Sequence, residues 1–247
     1  MGGQGTAFDH EQFDSIYPDG VERHYWNRCR NQVIASMLRR VGAKGPMLEV
    51  GCGKGLVVQA LRSEGFDVEG VDIAAVDPVS GAAAHVRTGT DAFALGAEEA
   101  VRYKTLLLLD VIEHLEQPAE FIQRLRAAFP NVEWVVATVP ARQELFSAHD
   151  TFNRHFRRYD LPTMRAHMDP EGDRAWHSSY FFHALYPLAW LQARASSERR
   201  RFSAPRPGFA SALHAFIGAA LMLEHRIVPG WLWGTSCIAA SGTRAER

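Results

Sequence analysis

Apolar and polar positions change their spacing several times along the chain, and each change predicts a boundary between a strand and a helix. Residues 47–50 form a short apolar run with one acid, and apolar positions of helical spacing follow over residues 56–61. Residues 106–109 are continuously apolar, as expected for a strand buried on both faces of a parallel sheet. Residues 132–139 form a further apolar run. Strands and helices that alternate in this way predict an α/β fold.

The turn between the first predicted strand and helix contains three glycines spaced two apart, Gly51, Gly53 and Gly55. Glycine lets the backbone approach a ligand closely, and the N-terminus of the helix offers free N–H groups to an acceptor. This order of strand, turn and helix predicts a nucleotide-binding corner. A dinucleotide fingerprint has the spacing G-x-G-x-x-G, whereas this turn is G-x-G-x-G with Glu49 two positions before it. The spacing disfavours a nicotinamide-dependent oxidoreductase.

Carboxylates stand at the ends of the next predicted strands. Residues 65–73 predict a second strand that ends in Asp72, where a carboxylate can accept both hydroxyls of a ribose. Together with the glycine turn, this pattern resembles that of the class I S-adenosylmethionine-dependent methyltransferases. Residues 85–92 predict a third strand, near whose end Asp91 lies, and the resemblance implies that Asp91 faces the adenine amino group. The run D-V-I-E-H-L that starts at Asp110 is typical of one methyltransferase branch, which includes quinone-biosynthesis enzymes.

The resemblance implies S-adenosylmethionine as the cofactor. Glu113 and His114 are interpreted as residues that enter a helix and shape the pocket, and Cys52 as a small residue that fits the turn. The residues predicted to bind the cofactor are Glu49, Gly51, Cys52, Gly53, Gly55, Asp72, Ile73, Asp91, Ala92, Asp110 and Val111.

Residues 141–160, after the fifth predicted strand, are dense in histidine, arginine and aromatic side chains. The segment lies at the carboxyl edge of the sheet, where open α/β folds bind ligands. It resembles a segment P-A-x-x-x-L-x-S-x-x-D…H-x-R-R-Y of many class I methyltransferases. His155 is the candidate general base toward a substrate hydroxyl, because imidazole titrates near neutrality. In the alternative interpretation, Asp150, His155, Arg158 and Tyr159 form a buried polar lattice that holds the loop.

Further substrate contacts are predicted on an N-terminal helix, where residues 21–41 place apolar positions on one face. Tyr25 and Trp26 lie in a stretch that resembles the leader helix across the cofactor cleft of related methyltransferases; a packing helix with aromatic anchors is the alternative. A metal site of two histidines and one carboxylate within residues 149–155 has only loose spacing, and we predict no metal. The residues predicted to contact the substrate are Tyr25, Trp26, His149, Arg158 and Tyr159.

The last third of the chain departs from a minimal methyltransferase. Residues 176–190 begin as a sixth strand and become an aromatic-rich apolar segment, and an apolar helix over residues 210–227 precedes the last strand at 233–239. Residues 192–207 form a linker rich in arginine. An apolar hairpin with arginines could rest on an anionic membrane surface or accept a lipid-linked substrate. We favour the plainer interpretation, a helical cap over the active site with a solvated basic loop.

Composition and charge suit an enzyme of a reducing compartment. The net charge of −1 gives no basic field that would attract nucleic acid. Three cysteines, Cys29, Cys52 and Cys237, have neither metal nor disulfide spacing. No uninterrupted apolar run has transmembrane length, and the N-terminus lacks the basic and apolar regions of a signal peptide. We therefore predict a cytoplasmic protein.

These patterns together predict one class I methyltransferase domain over residues 1–247, with an arm and cap helix in 1–42, a cofactor-binding core in 43–160 and a helical cap insertion within 161–247. The expected fold is Rossmann-like, a seven-stranded, mostly parallel sheet with helices on both faces and an antiparallel last strand. The implied function is methyl transfer from S-adenosylmethionine to a small-molecule or lipid-linked acceptor by in-line displacement. The sulfonium is already a good leaving group, so catalysis consists mostly of positioning. A non-catalytic cofactor-binding scaffold or partner subunit is the alternative, and the oligomeric state stays open.

Overall fold

A seven-stranded sheet runs through the protein, whose computed structural model describes residues 17–195 and 203–243. The strands are β1 (Met47–Val50), β2 (Val68–Val71), β3 (Val86–Arg87), β4 (Thr105–Leu109), β5 (Trp134–Pro140), β6 (Ala175–Phe181) and β7 (Ser236–Gly242). Their order across the sheet is β3-β2-β1-β4-β5-β7-β6. β7 is antiparallel to β5 and β6, and the other neighbours are parallel. This arrangement confirms the predicted fold class.

Helices cover both faces of the sheet. They are α1 (Tyr25–Arg40), α2 (Leu56–Ser63), α3 (Ala97–Ala100), α4 (Pro118–Ala128), α5 (Ala148–Phe152), α6 (Leu161–Met168), α7 (Tyr186–Ala195) and α8 (Phe209–Ile227). Side chains of α1, α2 and α8 join the hydrophobic cluster on one face, and those of α4 and α6 join the cluster on the other. Within the described ranges, none of the helices is both long and apolar enough to cross a membrane.

β4 shows why a continuous apolar run becomes a central strand. Leu106 and Leu108 belong to one hydrophobic cluster, and Leu107 and Leu109 belong to the cluster on the opposite face. This alternation follows from the two-residue period of a strand. Helices cover both faces, so the strand needs no polar side. Because β1, β2, β4 and β5 are parallel, their carboxyl ends meet at one edge of the sheet.

The third strand is shorter than predicted. Only Val86–Arg87 pairs with β2, because the chain turns at Gly89, whose φ angle is 65°. Asp91 then accepts a hydrogen bond from the N–H of Phe93 and caps a short 3-10 helix. The predicted strand over residues 85–92 is therefore wrong beyond its first half, although Asp91 still reaches the expected edge of the sheet.

The C-terminal elements differ from the prediction mainly in their limits. α7 extends to Ala195, so the linker starts later than residue 192, and residues 199–201, which include three of its arginines, lie outside the described part of the chain. The predicted N-terminal arm lies largely outside it as well, since the description begins at residue 17. The last strand starts at Ser236, three residues later than predicted.

Candidate active site

A cleft opens at the carboxyl edge of the parallel strands. The loops that follow β1, β2, β4 and β5 form one side of it, and residues of α1 and α7 line another. Its volume is about 840 Å³, which is enough to enclose a small molecule. Open α/β sheets bind their ligands at this edge, so the cleft is the candidate active site.

The glycine turn after β1 brings backbone groups to the cleft. Gly51 and Gly53 both line the cleft and have positive φ angles of 80° and 53°. A methyl group on Gly53 would lie 2.2 Å from the hydroxyl oxygen of Tyr17, and one on Gly51 would lie 2.8 Å from Cγ2 of Val111. A larger residue would both strain the turn and clash with these neighbours.

Gly55 and Cys52 have structural roles in the same turn. Gly55 does not line the cleft; it precedes α2, and a methyl group there would lie 2.6 Å from Val86 and 2.8 Å from Ala82. Close packing is sufficient to explain the glycine, and the contact of Gly55 with the cofactor stays a prediction. Cys52 lines the cleft, but burial raises the pKa of its thiol, which leaves it unreactive.

Asp72, at the end of β2, connects the second strand to the glycine turn. One carboxylate oxygen accepts a hydrogen bond from the N–H of Gly53 at 2.7 Å, and the other accepts one from the N–H of Ala74 at 2.8 Å. Burial raises the pKa of Asp72, although both backbone hydrogen bonds oppose the shift. The carboxylate also lines the cleft and retains lone pairs for further donors. The position of Asp72 at the ligand site was predicted, whereas its hydrogen bond to the glycine turn was not.

Carboxyl groups dominate this side of the cleft. Glu49 is 2% exposed, and its Oε2 has no hydrogen-bond partner among the described residues. Burial raises the pKa of Glu49 to about 8; Asp72 and Asp110 raise it as well, and Arg30 opposes them. Because the acids outnumber the buried arginine, this side of the cleft favours a cationic ligand. Further predicted cofactor residues that line the cleft are Ile73, Asp91, Ala92, Asp110 and Val111.

Arg30 reaches the cleft from α1 and is buried despite its charge. Its Nη2 lies 2.7 Å from Oδ2 of Asp110 and donates to the hydroxyl of Thr138 at 3.3 Å. Thr138 donates in turn to Oδ1 of Asp110 at 3.2 Å. These contacts hold Asp110 in the left-handed region, with a φ angle of 58°, which is uncommon for a residue other than glycine. The N-terminal helix therefore determines the position of Asp110.

The segment after β5 supplies the opposite side of the cleft. His155 lines the cleft, and its Nδ1 lies 2.9 Å from Oδ1 of Asp150. Arg158 donates to the same carboxylate from two nitrogens, at 2.8 and 3.0 Å, and Ser147 donates from its N–H and its hydroxyl. Asp150, His155 and Arg158 thus form the polar lattice of the alternative interpretation, whereas Tyr159, its fourth predicted member, bonds elsewhere. His155 belongs to this lattice and also lines the cleft.

Asp150 is completely buried at the centre of this lattice. Burial would raise the pKa of its carboxyl, but the hydrogen bonds and charges of His155 and Arg158 hold that pKa well below its usual range. A carboxylate bonded to Nδ1 fixes the orientation of the imidazole. Nε2 is then the ring nitrogen that can accept a proton.

Two predicted substrate contacts have other roles. Tyr159 is completely buried away from the cleft, and its hydroxyl donates to the carbonyl oxygen of Ile112 at 3.2 Å. Its burial supports a structural role, and the contact of Tyr159 with the substrate stays a prediction. Arg158 lines the cleft, but its guanidinium donates to Asp150 and, at 3.4 Å, to the carbonyl oxygen of Ala141. Its structural role is to support the lattice.

A cluster of side chains that could ligate a metal lies beside His155. The rings of His114 and His155 meet edge to face, with centroids 4.6 Å apart. These two residues and Glu113 offer atoms that all lie within 4.8 Å of one another. Glu113 is completely buried, and within the described chain neither of its carboxylate oxygens has a hydrogen-bond partner. Imidazole and carboxylate groups at this spacing could hold a divalent cation. The metal site considered in the sequence analysis consisted of two histidines and one carboxylate within residues 149–155, so it shares only His155 with this cluster.

Burial disfavours the charged forms of two members of this cluster. It raises the pKa of Glu113 well above its usual range, with Asp110 as a further cause. It also lowers the pKa of His114 to about 3, and the neighbouring His155 contributes to that shift. Near neutral pH, His114 is therefore neutral, and burial disfavours the charged form of Glu113. The prediction of no metal stays a prediction.

The first turn of α1 has two functions at the cleft. Tyr25 and Trp26 both line it. The N–H of Tyr25 donates a hydrogen bond to Nδ1 of His214 on α8 at 3.2 Å, and the ring of Trp26 stacks on Phe182 with centroids 6.0 Å apart. The two interpretations of this helix, a leader across the cleft and a packing helix, are therefore compatible with each other. His149, the remaining predicted substrate contact, lines the cleft from α5.

Comparison with protein families decides what kind of protein carries this cleft. The model of one family, described as a methyltransferase domain, matches residues 23–183. The chain belongs to the methyltransferase domain family. The match includes the glycine turn, Asp72 and the segment that contains His155. It confirms the resemblance to class I S-adenosylmethionine-dependent methyltransferases.

Curated relatives of this methyltransferase domain are similar over part of their length. The mitochondrial ubiquinone biosynthesis O-methyltransferase of Arabidopsis thaliana is 31% identical over an aligned length of 138 residues. The match covers 47% of this chain and 42% of that protein. The ubiquinone biosynthesis O-methyltransferase of Caulobacter vibrioides is 30% identical over an aligned length of 117 residues, and this match covers 40% of this chain and 46% of that protein. The chain thus spans about half the length of the curated relatives it matches.

Solved methyltransferase structures share the fold at much lower sequence identity. The plantazolicin methyltransferase BpumL, in complex with SAH, is 14% identical with a TM-score of 0.53, over 97% of this chain and 92% of that one. The methyltransferase domain of bacterial CtHen1-C is 13% identical with a TM-score of 0.51, over 89% of this chain and 99% of that one. At these identities the likeness shows the fold alone.

Residues in two parts of this methyltransferase site were not predicted, and they differ in the signal available. Arg30 stands on the apolar face of α1, one helical turn before Val33 and Ile34, both of which are buried. A charged residue on a buried face is a signal that could have identified it. α7 lines the cleft through Leu188, Ala189 and other residues; a helical cap over the active site was predicted in this part of the chain, but none of these residues was named as a site residue.

Proposed function

We propose that the cleft binds S-adenosylmethionine and that the protein transfers its methyl group to a small-molecule acceptor. The observation that carries this proposal is that one cleft contains both the glycine turn bonded to Asp72 and the His155–Asp150 pair. The first arrangement suits the cofactor, and the second suits an acceptor that must lose a proton.

On the cofactor side, we assign the ribose hydroxyls to Asp72 and the adenine to Asp91 and Ala92. The amino-acid end is assigned to the glycine turn and Glu49, whose carboxyl would ionise when it meets the cofactor ammonium. The surplus of carboxyl groups attracts the sulfonium. This attraction weakens after transfer, because the sulfur of the product is neutral, and release of the product is thereby favoured.

We propose a hydroxyl group as the acceptor, supported by the name of the O-methyltransferase relatives. A lone pair of the acceptor oxygen forms the bond to the methyl carbon, the carbon–sulfur bond breaks, and its electron pair stays on sulfur. The hydroxyl proton passes to Nε2 of His155. Asp150 stabilises the imidazolium that results.

The acceptor is proposed to have an apolar body. Tyr25 and Trp26 line the cleft from α1, and Leu185, Leu188 and Ala189 line it around α7. Such a lining suits an aromatic or lipid-linked molecule, for which contact with a membrane surface is part of the same proposal. We place the activity in the cytoplasm and in a single domain; the three cysteines, all free and buried, support a reducing compartment.

A second candidate for activation of the acceptor is a divalent cation held by Glu113, His114 and His155. The contact of Asp150 with Nδ1 of His155 supports it, because metal-bound histidines commonly donate their other nitrogen to a carboxylate. Turnover measured after EDTA treatment, and again with added Mg²⁺, Mn²⁺ or Zn²⁺, separates the two candidates. Full activity without metal favours the base alone, and loss that a cation restores favours the metal.

Titration calorimetry with S-adenosylmethionine and with NADH tests the cofactor assignment. Binding of the first and not of the second is expected, and the reverse result would overturn the proposal. Mass spectrometry of reactions with catechols and phenolic acids then tests the transfer step. Cofactor binding without turnover on any acceptor would instead support a non-catalytic scaffold.

A further inference from the structure

α8 carries an exposed apolar stripe along its whole length. Phe209, Phe216 and Ile227 are 85%, 72% and 70% exposed, and Leu213 and Leu223 are exposed as well. The steps between these five residues are four, three, seven and four positions, which is one or two turns each, so the residues lie on one face of the helix. The helix has 19 residues and is therefore about 28 Å long.

The opposite face of α8 is packed against the protein, and this packing determines the direction of the stripe. Leu221 and Met222 are buried in the hydrophobic cluster they share with α1. Gly218 allows a close approach of the two helices, because a methyl group there would lie 3.3 Å from Cβ of Arg28. The stripe consequently points away from the sheet and is not covered by the described residues.

Further exposed apolar side chains lie next to this helix in the chain and at the cleft. Trp231 and Trp233 are exposed in the loop after α8, and Leu188 and Leu191 are exposed on α7. Leu188 also lines the cleft. Monomeric proteins rarely expose this much apolar surface unless it meets a partner.

Positive charge accompanies the apolar surface. Residues 184–230 contain six arginines and two glutamates, a net charge of +4 in a chain whose total is −1. Glu224 is directed at the protein, where it accepts a hydrogen bond from the N–H of Ala184. Arg226 is the charged residue on the exposed side of α8, and Arg194 lies over the ring of Trp190 at 3.5 Å.

We propose that the α8 stripe, with the exposed Arg206 and Arg226 near its two ends, binds an anionic membrane surface. Phenylalanine, leucine and tryptophan would enter the interface, and arginine would meet the acidic headgroups. The inference deepens the proposed function and rests on it in one respect, since a membrane-bound enzyme meets a lipid-linked acceptor directly.

A second copy of the chain is a less suitable partner for the stripe. Two-fold pairing of α8 with itself would bring together two helices that each carry the exposed Arg206 and Arg226 near their ends, and like charges oppose such an association. The stripe also lacks the acidic residues that form interhelical salt bridges in paired helices. An anionic bilayer supplies both the apolar interior and the negative charge.

Sedimentation with vesicles tests this proposal. The protein should bind vesicles of phosphatidylcholine mixed with phosphatidylglycerol, and bind phosphatidylcholine alone much less. The double variant Phe216→Ser/Leu223→Ser should bind the anionic vesicles with an affinity reduced by about tenfold or by a larger factor. Val101→Ser, which removes an exposed apolar side chain elsewhere, is the matched control and should bind normally. Added salt should weaken binding.

Other outcomes would overturn the proposal. Equal binding by the double variant and the control, or no binding by the parent protein, would exclude the stripe as a membrane contact. A dimer in light scattering that dissociates in the double variant would show that a second copy covers the stripe. Thermal unfolding and calorimetry with S-adenosylmethionine establish that the variants are folded. Vesicle binding by a protein that fails to bind the cofactor would refute the proposed function and leave this inference standing.

Discussion

The two sides of the cleft are built in different ways. The cofactor side uses backbone groups and carboxylates at the ends of neighbouring strands, and the Gly53–Asp72 hydrogen bond joins two of them directly. The acceptor side combines α1, the segment after β5 and α7, which are far apart in the sequence. It is held by side chains, with Asp150 receiving hydrogen bonds from three neighbours.

This difference shows which properties can vary independently. The sheet determines where the strands end, so the cofactor side cannot change much without disturbing the fold. The acceptor side depends on side-chain contacts, which can be altered while the sheet is kept. Variants on the first side should therefore change cofactor affinity, and variants on the second should change turnover and local stability.

The largest effect is expected for His155→Ala. Turnover should fall by about 10²–10⁴, the usual contribution of a general base, while affinity for S-adenosylmethionine stays close to that of the parent. His85→Ala, a histidine just before β3 and away from the cleft, is the control. Normal turnover in a folded His155→Ala protein would exclude the base.

Asp150→Ala should reduce the free energy of unfolding by about 3–5 kcal/mol, because Arg158 would lose its buried partner. The control is Asp160→Ala, which removes a capping carboxylate of α6 and should cost about 0.5–2 kcal/mol. Denaturant unfolding measures both changes. Equal costs would show that the lattice does not support the acceptor side.

The same carboxylate should make stability depend on pH. The pKa of Asp150 is lower in the folded protein than in the unfolded chain. Its contribution is therefore fully present above the unfolded pKa, about 4, and is lost as pH falls toward the folded value. Thermal denaturation at decreasing pH should show a steeper loss for the parent than for Asp150→Ala. Parallel curves would argue against this assignment.

Asp72→Ala should weaken affinity for S-adenosylmethionine about tenfold or more, since each hydrogen bond lost to a charged group costs about 1.5–3 kcal/mol. Part of the loss would come from the glycine turn, which loses its bond to Gly53. Asp72→Asn retains one acceptor oxygen and should have a smaller effect. Calorimetry gives both affinities, and an unchanged value for folded Asp72→Ala would place the ribose elsewhere.

The smallest effect concerns Glu49. With its pKa raised to about 8 by burial, this carboxyl is mostly protonated at neutral pH in the free protein. An ammonium group bound beside it would favour the ionised form, so cofactor binding should release up to about one proton. Calorimetry in buffers of different ionisation enthalpy measures this release. Glu49→Gln should abolish it, and equal release from both proteins would show that another group titrates.

Individual residues show how far local patterns could lead. Asp72 lies at the predicted strand end and lines the cleft, because a strand and the residue that ends it are adjacent in the chain. Gly55 belongs to the same motif, yet its conformation serves packing against Val86, which the motif does not encode. Tyr159 stands next to cleft residues in the sequence, but its side chain points into the core.

The sequence by itself determined the sheet, the glycine turn and the carboxylates that follow the strands. Each of these depends on hydrophobic spacing, on backbone conformation or on the neighbouring residue, all of which are local. Only the tertiary structure decided that Arg30 meets Asp110, that Glu113 and His114 meet His155, and which residues of α7 line the cleft. These contacts join segments that are distant in the chain, and they depend on how helices pack on the finished sheet.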